Sequence, residues 1–266
     1  MLKGQYPNMS HSEYHSYEEY ISATSVKKFI RSNYSMAHMK TLKDSAASRA
    51  LVIGSALHVD VLEPWEKAVH FSEFKTAASK GFKAQADALP EDHYLLTATE
   101  AVNHEGMKQS LRDHDYACKI LSNRDAVREC AVFSEYKGQG IKTKFDLYDP
   151  ADRILWDIKT SRSAHVNHFT DDLFALKYDV QLAMYAMILT NEGLPVEKAG
   201  FIVVEKEPPW AVNVIILKPE VILRAEEVVR DALDKIAVNY NDPNPTTGWP
   251  PFVEVGLPYS QIIGEF

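Results

Sequence analysis

Two carboxylates and one lysine lie close together near the middle of the sequence. Asp146 is followed eleven residues later by Asp157, and Lys159 stands two residues beyond that. Carboxylate oxygens are the ligands that Mg²⁺ prefers, and a lysine beside them can neutralise charge that develops in a transition state. Residues of these types at this spacing can bind a divalent metal and cleave a phosphodiester bond.

Three strands must position these residues. Short turns join them, and the strands are predicted at 129–137, 141–148 and 153–159. Consecutive strands with such short connections are antiparallel neighbours. Because side chains alternate along a strand, Asp157 and Lys159 point to one face, and Asp146 can face them across the hairpin. The pattern therefore predicts two acids and a lysine at one point of a sheet.

A long apolar segment follows the strands. Residues 173–190 are apolar on nearly every side, which predicts one buried helix. One stripe of this helix is formed by Phe174, Tyr178, Gln181, Tyr185 and Ile188. A buried amide is costly unless it is paired. Gln181 therefore either points at a polar site or bonds to a neighbouring backbone group, and the spacing alone leaves both open.

Two helices that precede the strands carry further candidates. The side chains at 22–25 can cap a helix, whose polar face carries Lys27, Lys28 and Arg31. Such a cluster is either a solvated helix face or a phosphate-binding surface. A second helix, which the apolar sequence predicts to be buried, is expected at about 48–62 and carries His58. His58 is either a packed residue with one hydrogen bond or a metal ligand.

The remaining segments complete one predicted domain. We expect an exposed loop with a short helix at 71–92 and an amphipathic helical pattern at 97–121. A hairpin is predicted at 200–206 and 211–217, and a helix at 219–240. No linker divides the chain, so a single domain is expected over 1–266. Its parts are a mainly helical portion at 1–125, a catalytic core at 126–240 and an irregular tail at 241–266.

Composition excludes some kinds of site and leaves others open. The two cysteines, Cys118 and Cys130, are too few for a disulfide framework or a four-cysteine metal cluster, and we expect buried reduced thiols. The formal net charge of −8 does not indicate a protein that coats nucleic acid, but DNA contacts can be confined to one basic groove. The sequence predicts no membrane span and no signal peptide, so a cytoplasmic protein is expected.

The order of these motifs resembles that of a known superfamily, the PD-(D/E)xK nucleases. The resemblance is carried by Gly54-xxx-His58, Lys144-Phe145-Asp146, Asp157-Ile158-Lys159-Thr160 and Gln181-xxx-Tyr185. More narrowly, most of the chain is similar to the exonuclease domain of the RecE type (exodeoxyribonuclease VIII) of phages and prophages. Two positions depart from the family pattern, because Phe145 stands where proline is usual and Lys144 where arginine is common.

The resemblance implies a fold, a cofactor and a set of site residues. The implied fold is α/β (α+β), a restriction-endonuclease-like core with a central mixed β-sheet flanked by helices. The implied cofactor is Mg²⁺, with Mn²⁺ as a substitute. The implied metal ligands are His58, Asp146 and Asp157, with Glu129 as a further candidate. The implied catalytic residues are Asp146, Asp157 and Lys159, with Gln181 and Tyr185 on the helix that lines the site.

The resemblance further implies a Mg²⁺-dependent exodeoxyribonuclease that digests one strand of linear double-stranded DNA from 5′ to 3′. The 3′ overhangs would serve a single-strand annealing protein in recombination, and a homo-oligomeric ring would enclose the DNA. Lys27, Lys28 and Arg31 become candidates to bind the 5′ phosphate. The implied location is the cytoplasm of a bacterial host or a phage-infected cell. A restriction-like or structure-specific DNA endonuclease and a catalytically idle DNA-binding module are the alternatives.

Overall fold

The computed structural model of the chain describes residues 1–41, 48–63, 65–239, 242, 245–249, 251, 252 and 254, so most of the predicted tail lies outside the described residues. The strands are β1 (Gly4–Tyr6), β2 (Ile21–Ser22), β3 (Val69–Phe71), β4 (Tyr94–Leu96), β5 (Val127–Tyr136), β6 (Gln139–Asp149), β7 (Ile154–Ser161), β8 (Lys198–Glu205) and β9 (Val212–Ile216). The helices are α1 (His11–Ser16), α2 (Ala23–Arg31), α3 (Met36–Thr41), α4 (Arg49–Leu62), α5 (Lys80–Asp87), α6 (Ala98–Asp113), α7 (Asp115–Leu121), α8 (Val166–Ala175), α9 (Tyr178–Asn191) and α10 (Pro219–Asn239).

A mixed sheet forms the centre of the fold, in the order β1-β5-β6-β7-β8-β9, with β2 paired to β6. The strands β5, β6 and β7 are antiparallel neighbours, as the sequence predicts. The strands β7 and β8 are parallel, and such a pair needs a long connection, which α8 and α9 supply. The predicted hairpin is formed by β8 and β9. A small parallel sheet of β3 and β4 was not predicted.

Serine caps begin the two helices that carry candidate site residues. Ser22 caps α2 by accepting a hydrogen bond from the backbone N–H of Ser25, and the Ser25 hydroxyl accepts one from the N–H of Ser22. Ser48 caps α4 by accepting a bond from a backbone N–H three residues later. Val26 and Phe29 bury the inner face of α2 and leave its lysines on the other faces. Both helix predictions are confirmed, although much of α4 is only half-buried.

The prediction of a single helix at 173–190 is wrong, because two helices, α8 and α9, occupy this segment. Lys177 adopts a left-handed backbone conformation with a φ of 59°, and it separates α8 from α9. The two helices are bent by 71° relative to each other. Phe174 therefore belongs to the other helix, where it is 44% exposed, and it does not share the stripe of Gln181. The second half of the segment, α9, is buried on most sides as predicted.

Three smaller expectations have mixed outcomes. The pattern at 97–121 forms α6 and α7, which meet at His114, whose side chain caps α7. Cys130 is buried as predicted, but Cys118 is only half-buried, and both thiols are free. Among the described residues, no single helix is long and apolar enough to cross a membrane. The bent pair of α8 and α9 reaches that length and composition only when the two are taken together.

Helices cover both faces of the sheet, and the two larger clusters of the core lie between these helices and the sheet, while a smaller third cluster packs the N-terminal segment on β5. One cluster packs the sheet against α2, α9 and α10, and the other packs it against α4, α6 and α7. Alternation along β7 sends Leu155 to the first cluster and Trp156 to the second. On β6, however, Phe145 packs in the first cluster and Leu147 in the second, so the alternation changes at Asp146. The predicted fold, a central mixed sheet flanked by helices, is confirmed.

Candidate functional site

The site lies where β6 and β7 stop pairing with each other. Leu147 and Trp156 are the last pair on this side, and one further step of the same register places Asp146 opposite Asp157. In place of a backbone ladder bond, the N–H of Ile158 donates to Oδ2 of Asp146 at 2.6 Å. The side chain of Asp146 therefore takes the place of a backbone partner. Asp146 and Asp157 lie next to each other at this point, where β6 and β7 diverge. Parallel pairing with β8 holds β7 on its other side.

Polar contacts hold the carboxylate of Asp157, which is 1% exposed. Its Oδ2 lies 2.5 Å from Nζ of Lys159, so the two side chains share one face of β7 as predicted. Its Oδ1 accepts a hydrogen bond from Nε2 of Gln181 at 2.8 Å. The same Nε2 lies 3.2 Å from the hydroxyl oxygen of Tyr185. Gln181 therefore points at the polar site, which decides the alternative that the sequence left open.

Ligand atoms from three other side chains converge beside this group. Nε2 of His58 lies 2.9 Å from the carbonyl oxygen of Ile158, which can only accept, so Nε2 carries the proton. Nδ1 then presents a lone pair, and it lies 3.4 Å from Oδ2 of Asp146. Ligand atoms of His58, Glu129 and Asp146 all lie within 4.8 Å of one another. An imidazole and two carboxylates in this arrangement suit a divalent cation.

The backbone of β5 positions Glu129 for this cluster. Its φ of 43° is left-handed, which is uncommon for a residue other than glycine, and it interrupts the pairing with β6 between Arg128 and Cys130. The Glu129 carboxylate forms an ion pair of 3.0 Å with Nζ of Lys144. The sequence reasoning missed Lys144 as a site residue. Its spacing of two residues from Asp146 on a strand was the signal that could have found it.

Burial and nearby negative charge disfavour the charged forms of the carboxyl groups of Asp146 and Glu129. Burial, with added repulsion from Asp157, raises the pKa of Asp146 to about 8. Burial, with added repulsion from Asp146, raises the pKa of Glu129 to about 7. Burial also lowers the pKa of His58, which favours the neutral imidazole that binds metals. A cation bound among these groups would make the ionised forms of Glu129 and Asp146 favourable, so the residues present fit a divalent ion.

The predicted metal ligands fall into two neighbouring sets. His58, Glu129 and Asp146 form the cluster that could hold an ion. Asp157 lies outside that cluster, and its two oxygens contact Lys159 and Gln181. Its assignment as a metal ligand, like the other assignments, stays a prediction.

The three basic residues of α2 occupy different environments. Nζ of Lys27 donates to Oε1 of Gln181 at 2.8 Å. Burial, followed by repulsion from Lys159, lowers the pKa of Lys27 to about 8. Lys28 is half-buried, and Arg31 is exposed one turn further along the helix. The structure therefore brings Lys27 into the site, while DNA binding by the three residues stays a prediction.

A cavity of about 840 Å³ opens beside these groups. Its walls include His58, Glu129, Asp146 and Tyr185, together with the N-terminal residues 7–12. The sequence carries no regular period over its first twenty residues, so this wall had no recognisable signal.

Comparisons with known proteins identify the family of this chain and its fold. Residues 22–247 match the family model described as "PDDEXK-like domain of unknown function (DUF3799)". The chain belongs to this PDDEXK-like family. The predicted superfamily is thereby confirmed, whereas the narrower RecE type stays a prediction. No curated protein matches the chain significantly.

Two solved structures are similar to this PDDEXK-like chain. A protein from Eubacterium rectale that carries an exonuclease name has a TM-score of 0.65 and 15% identity, over 97% of this chain and 98% of that chain. A phage-related exonuclease from Haemophilus somnus 129PT has a TM-score of 0.32 and 12% identity, over 70% of this chain and 95% of that chain. The first comparison shows that the fold is shared.

Proposed function

We propose that this chain is a divalent-metal-dependent nuclease whose reaction centre contains Asp146, Asp157 and Lys159. The divergence of β6 and β7 carries the proposal, because the two acids and the lysine meet there beside His58 and Glu129. Membership of the PDDEXK-like family supports the same conclusion independently.

The residues of the chain have separate roles in this proposal. His58, Glu129 and Asp146 would hold a divalent ion, which supplies positive charge to polarise a phosphate and lowers the pKa of a bound water. Burial alone would lower the pKa of Lys159, but the charges of Asp157 and Asp146 raise it above its usual value. Lys159 therefore remains protonated and stabilises negative charge that develops on the phosphate. Asp157 orients the ammonium group of Lys159.

The finer proposal is an exonuclease that acts on ends of linear double-stranded DNA. It would digest one strand from 5′ to 3′ and leave a 3′ overhang for a single-strand annealing protein. The motif resemblance supports this proposal. Lys28 and Arg31 lie on the same helix as Lys27, so positive charge is available beside the site in a chain of net charge −8. Such local charge suits a basic channel within a homo-oligomeric ring.

A linear duplex with one labelled 5′ end and one labelled 3′ end tests activity, metal requirement and direction together. We expect Mg²⁺ to permit early release of the 5′ label while the 3′ label stays on long products, and EDTA to stop both. Lys159→Met is expected to lower cleavage about 100-fold or more. Lys218→Met removes an exposed lysine on the segment before α10 and is expected to retain it.

Other outcomes distinguish the alternatives. Cleavage of a covalently closed circle would indicate an endonuclease, because an end-dependent enzyme leaves a circle intact. Binding of the duplex without cleavage in Mg²⁺ or Mn²⁺ would indicate an idle DNA-binding module. Sedimentation as a monomer at micromolar concentration would contradict the ring.

A further inference from the structure

The amide of Gln181 lies between a cation and an anion. Gln181 is 9% exposed, its Oε1 accepts from Nζ of Lys27 at 2.8 Å, and its Nε2 donates to Oδ1 of Asp157 at 2.8 Å. An ammonium group can only donate a hydrogen bond, and a carboxylate can only accept one. Both neighbours therefore require the same orientation of the amide.

The opposite orientation of this amide is unfavourable at both ends. It would place two donors face to face at Lys27 and two acceptors face to face at Asp157. Each mismatch loses a charge-assisted hydrogen bond and leaves a buried polar group unpaired. Without Lys27, only one of the two mismatches would oppose the flip. Lys27 thus contributes one of the two charged contacts that orient the amide, from a position 154 residues away in sequence, whereas the hydroxyl of Tyr185 can donate or accept and suits either orientation.

The ring of Tyr178 keeps Lys27 in this place. Nζ of Lys27 lies 5.6 Å from the ring centroid, and Nζ of Lys159 lies 4.9 Å from it. The face of an aromatic ring attracts ammonium groups, so the ring offsets part of the repulsion between the two lysines. Lys27 can therefore stay close to the reaction centre with its ammonium group turned toward Gln181.

We propose that Lys27 is a positioning residue, which acts through the amide of Gln181 to hold the carboxylate of Asp157 in place for Lys159. This role differs from the phosphate contact expected from the sequence, because the ammonium group is directed inward. The kinetic part of the proposal rests on the proposed nuclease function, and the contact itself does not.

The contact can be tested without any activity. The chain has six glutamines, so protein labelled with ¹⁵N in the glutamine side chains gives a short set of NH₂ signals, and Gln181→Met identifies the one of interest. We expect Lys27→Met to move the Gln181 signal and to speed its hydrogen exchange about tenfold or more. Arg31→Met, which removes a charge one turn later, should leave that signal in place. A Gln181 signal unchanged by Lys27→Met would refute the proposal even if the protein cleaves DNA.

Kinetics test the consequence for the reaction. We expect Lys27→Met to lower kcat about tenfold or more with little change in KM, because the loss concerns alignment and not DNA affinity. Arg31→Met should instead raise KM and keep kcat. In the Gln181→Met background, Lys27→Met should cost less than about threefold, since its route to Asp157 is already absent. An equal cost in both backgrounds, or a Lys27→Met effect confined to KM, would overturn the proposal.

Gln181→Glu provides a second variant that does not alter Lys27. The glutamate oxygens can still accept from Lys27, but no N–H remains to donate to Asp157. We therefore expect kcat to fall at least as far as in Lys27→Met, with thermal melting used to verify the fold. A kcat equal to that of the wild type would refute the role of Gln181 as the link. Because the NMR arm needs no cleavage, an inactive protein would reject the nuclease function separately from the positioning contact.

Discussion

Asp146→Asn removes a buried carboxyl group from the metal-free protein and should change how stability depends on pH. Burial and repulsion from Asp157 raise the pKa of Asp146 from 3.8 to about 8 in the folded protein. Between these pKa values the folded protein keeps a proton that the unfolded chain has lost. The contribution of this group to stability is therefore greatest below about pH 4 and decreases as the pH rises toward 8.

The magnitude follows from proton linkage. One proton bound by the folded state and absent from the unfolded state changes the free energy of unfolding by about 1.4 kcal/mol per pH unit. Asp146 alone would thus lower the free energy of unfolding by about 3 kcal/mol between pH 5 and pH 7. Because Asp146 titrates together with neighbouring carboxyl groups, we expect a net difference of about 2 kcal/mol between the wild type and Asp146→Asn. An asparagine oxygen can still accept the bond from the N–H of Ile158.

Urea unfolding in EDTA at pH 5, 6 and 7 measures this difference. We expect the free energy of unfolding of the wild type to fall by about 2 kcal/mol more than that of Asp146→Asn over this range. Asp171→Asn removes an exposed carboxylate on α8 and serves as the matched control, with a profile parallel to that of the wild type. Saturating Mg²⁺ should flatten the wild-type profile, because a bound cation favours the ionised carboxylates. Parallel profiles for the wild type and Asp146→Asn in EDTA would refute the reasoning.

Three further predictions concern single positions. Lys159→Met should lower DNA cleavage about 100-fold or more in a duplex digestion assay, and near-wild-type degradation would reject its role. His58→Leu should weaken Mg²⁺ binding about tenfold or more in calorimetry, and an unchanged affinity would remove His58 from the metal cluster. In Gly200→Ala the new Cβ would lie 2.4 Å from the carbonyl oxygen of Ile215 and 2.8 Å from a ring carbon of Trp156. That variant should lose about 1–3 kcal/mol of stability in thermal unfolding, and an unchanged melting temperature would contradict the close approach.

Local patterns predicted the strands and missed one break in a helix. Short turns made β5, β6 and β7 antiparallel, and alternation placed Asp157 and Lys159 on one face of β7. The segment at 173–190 is apolar on nearly every side, so its period holds no signal for the left-handed Lys177. The break at Lys177 depends on how α8 and α9 pack against the sheet. A periodicity over a few residues carries no information about that packing.

The sequence by itself determined the candidate reacting groups and the elements that carry them. Two acids and a lysine on adjacent strands, and a hydroxyl that caps α2, follow from spacing and turn chemistry, which act over a few residues. Only the tertiary structure decided three contacts. His58 donates to the carbonyl of Ile158, Lys27 donates to Gln181, and a left-handed backbone positions Glu129 for the cluster. These contacts join segments far apart in the chain, and packing of α2, α4 and α9 around the divergence of β6 and β7 brings them together.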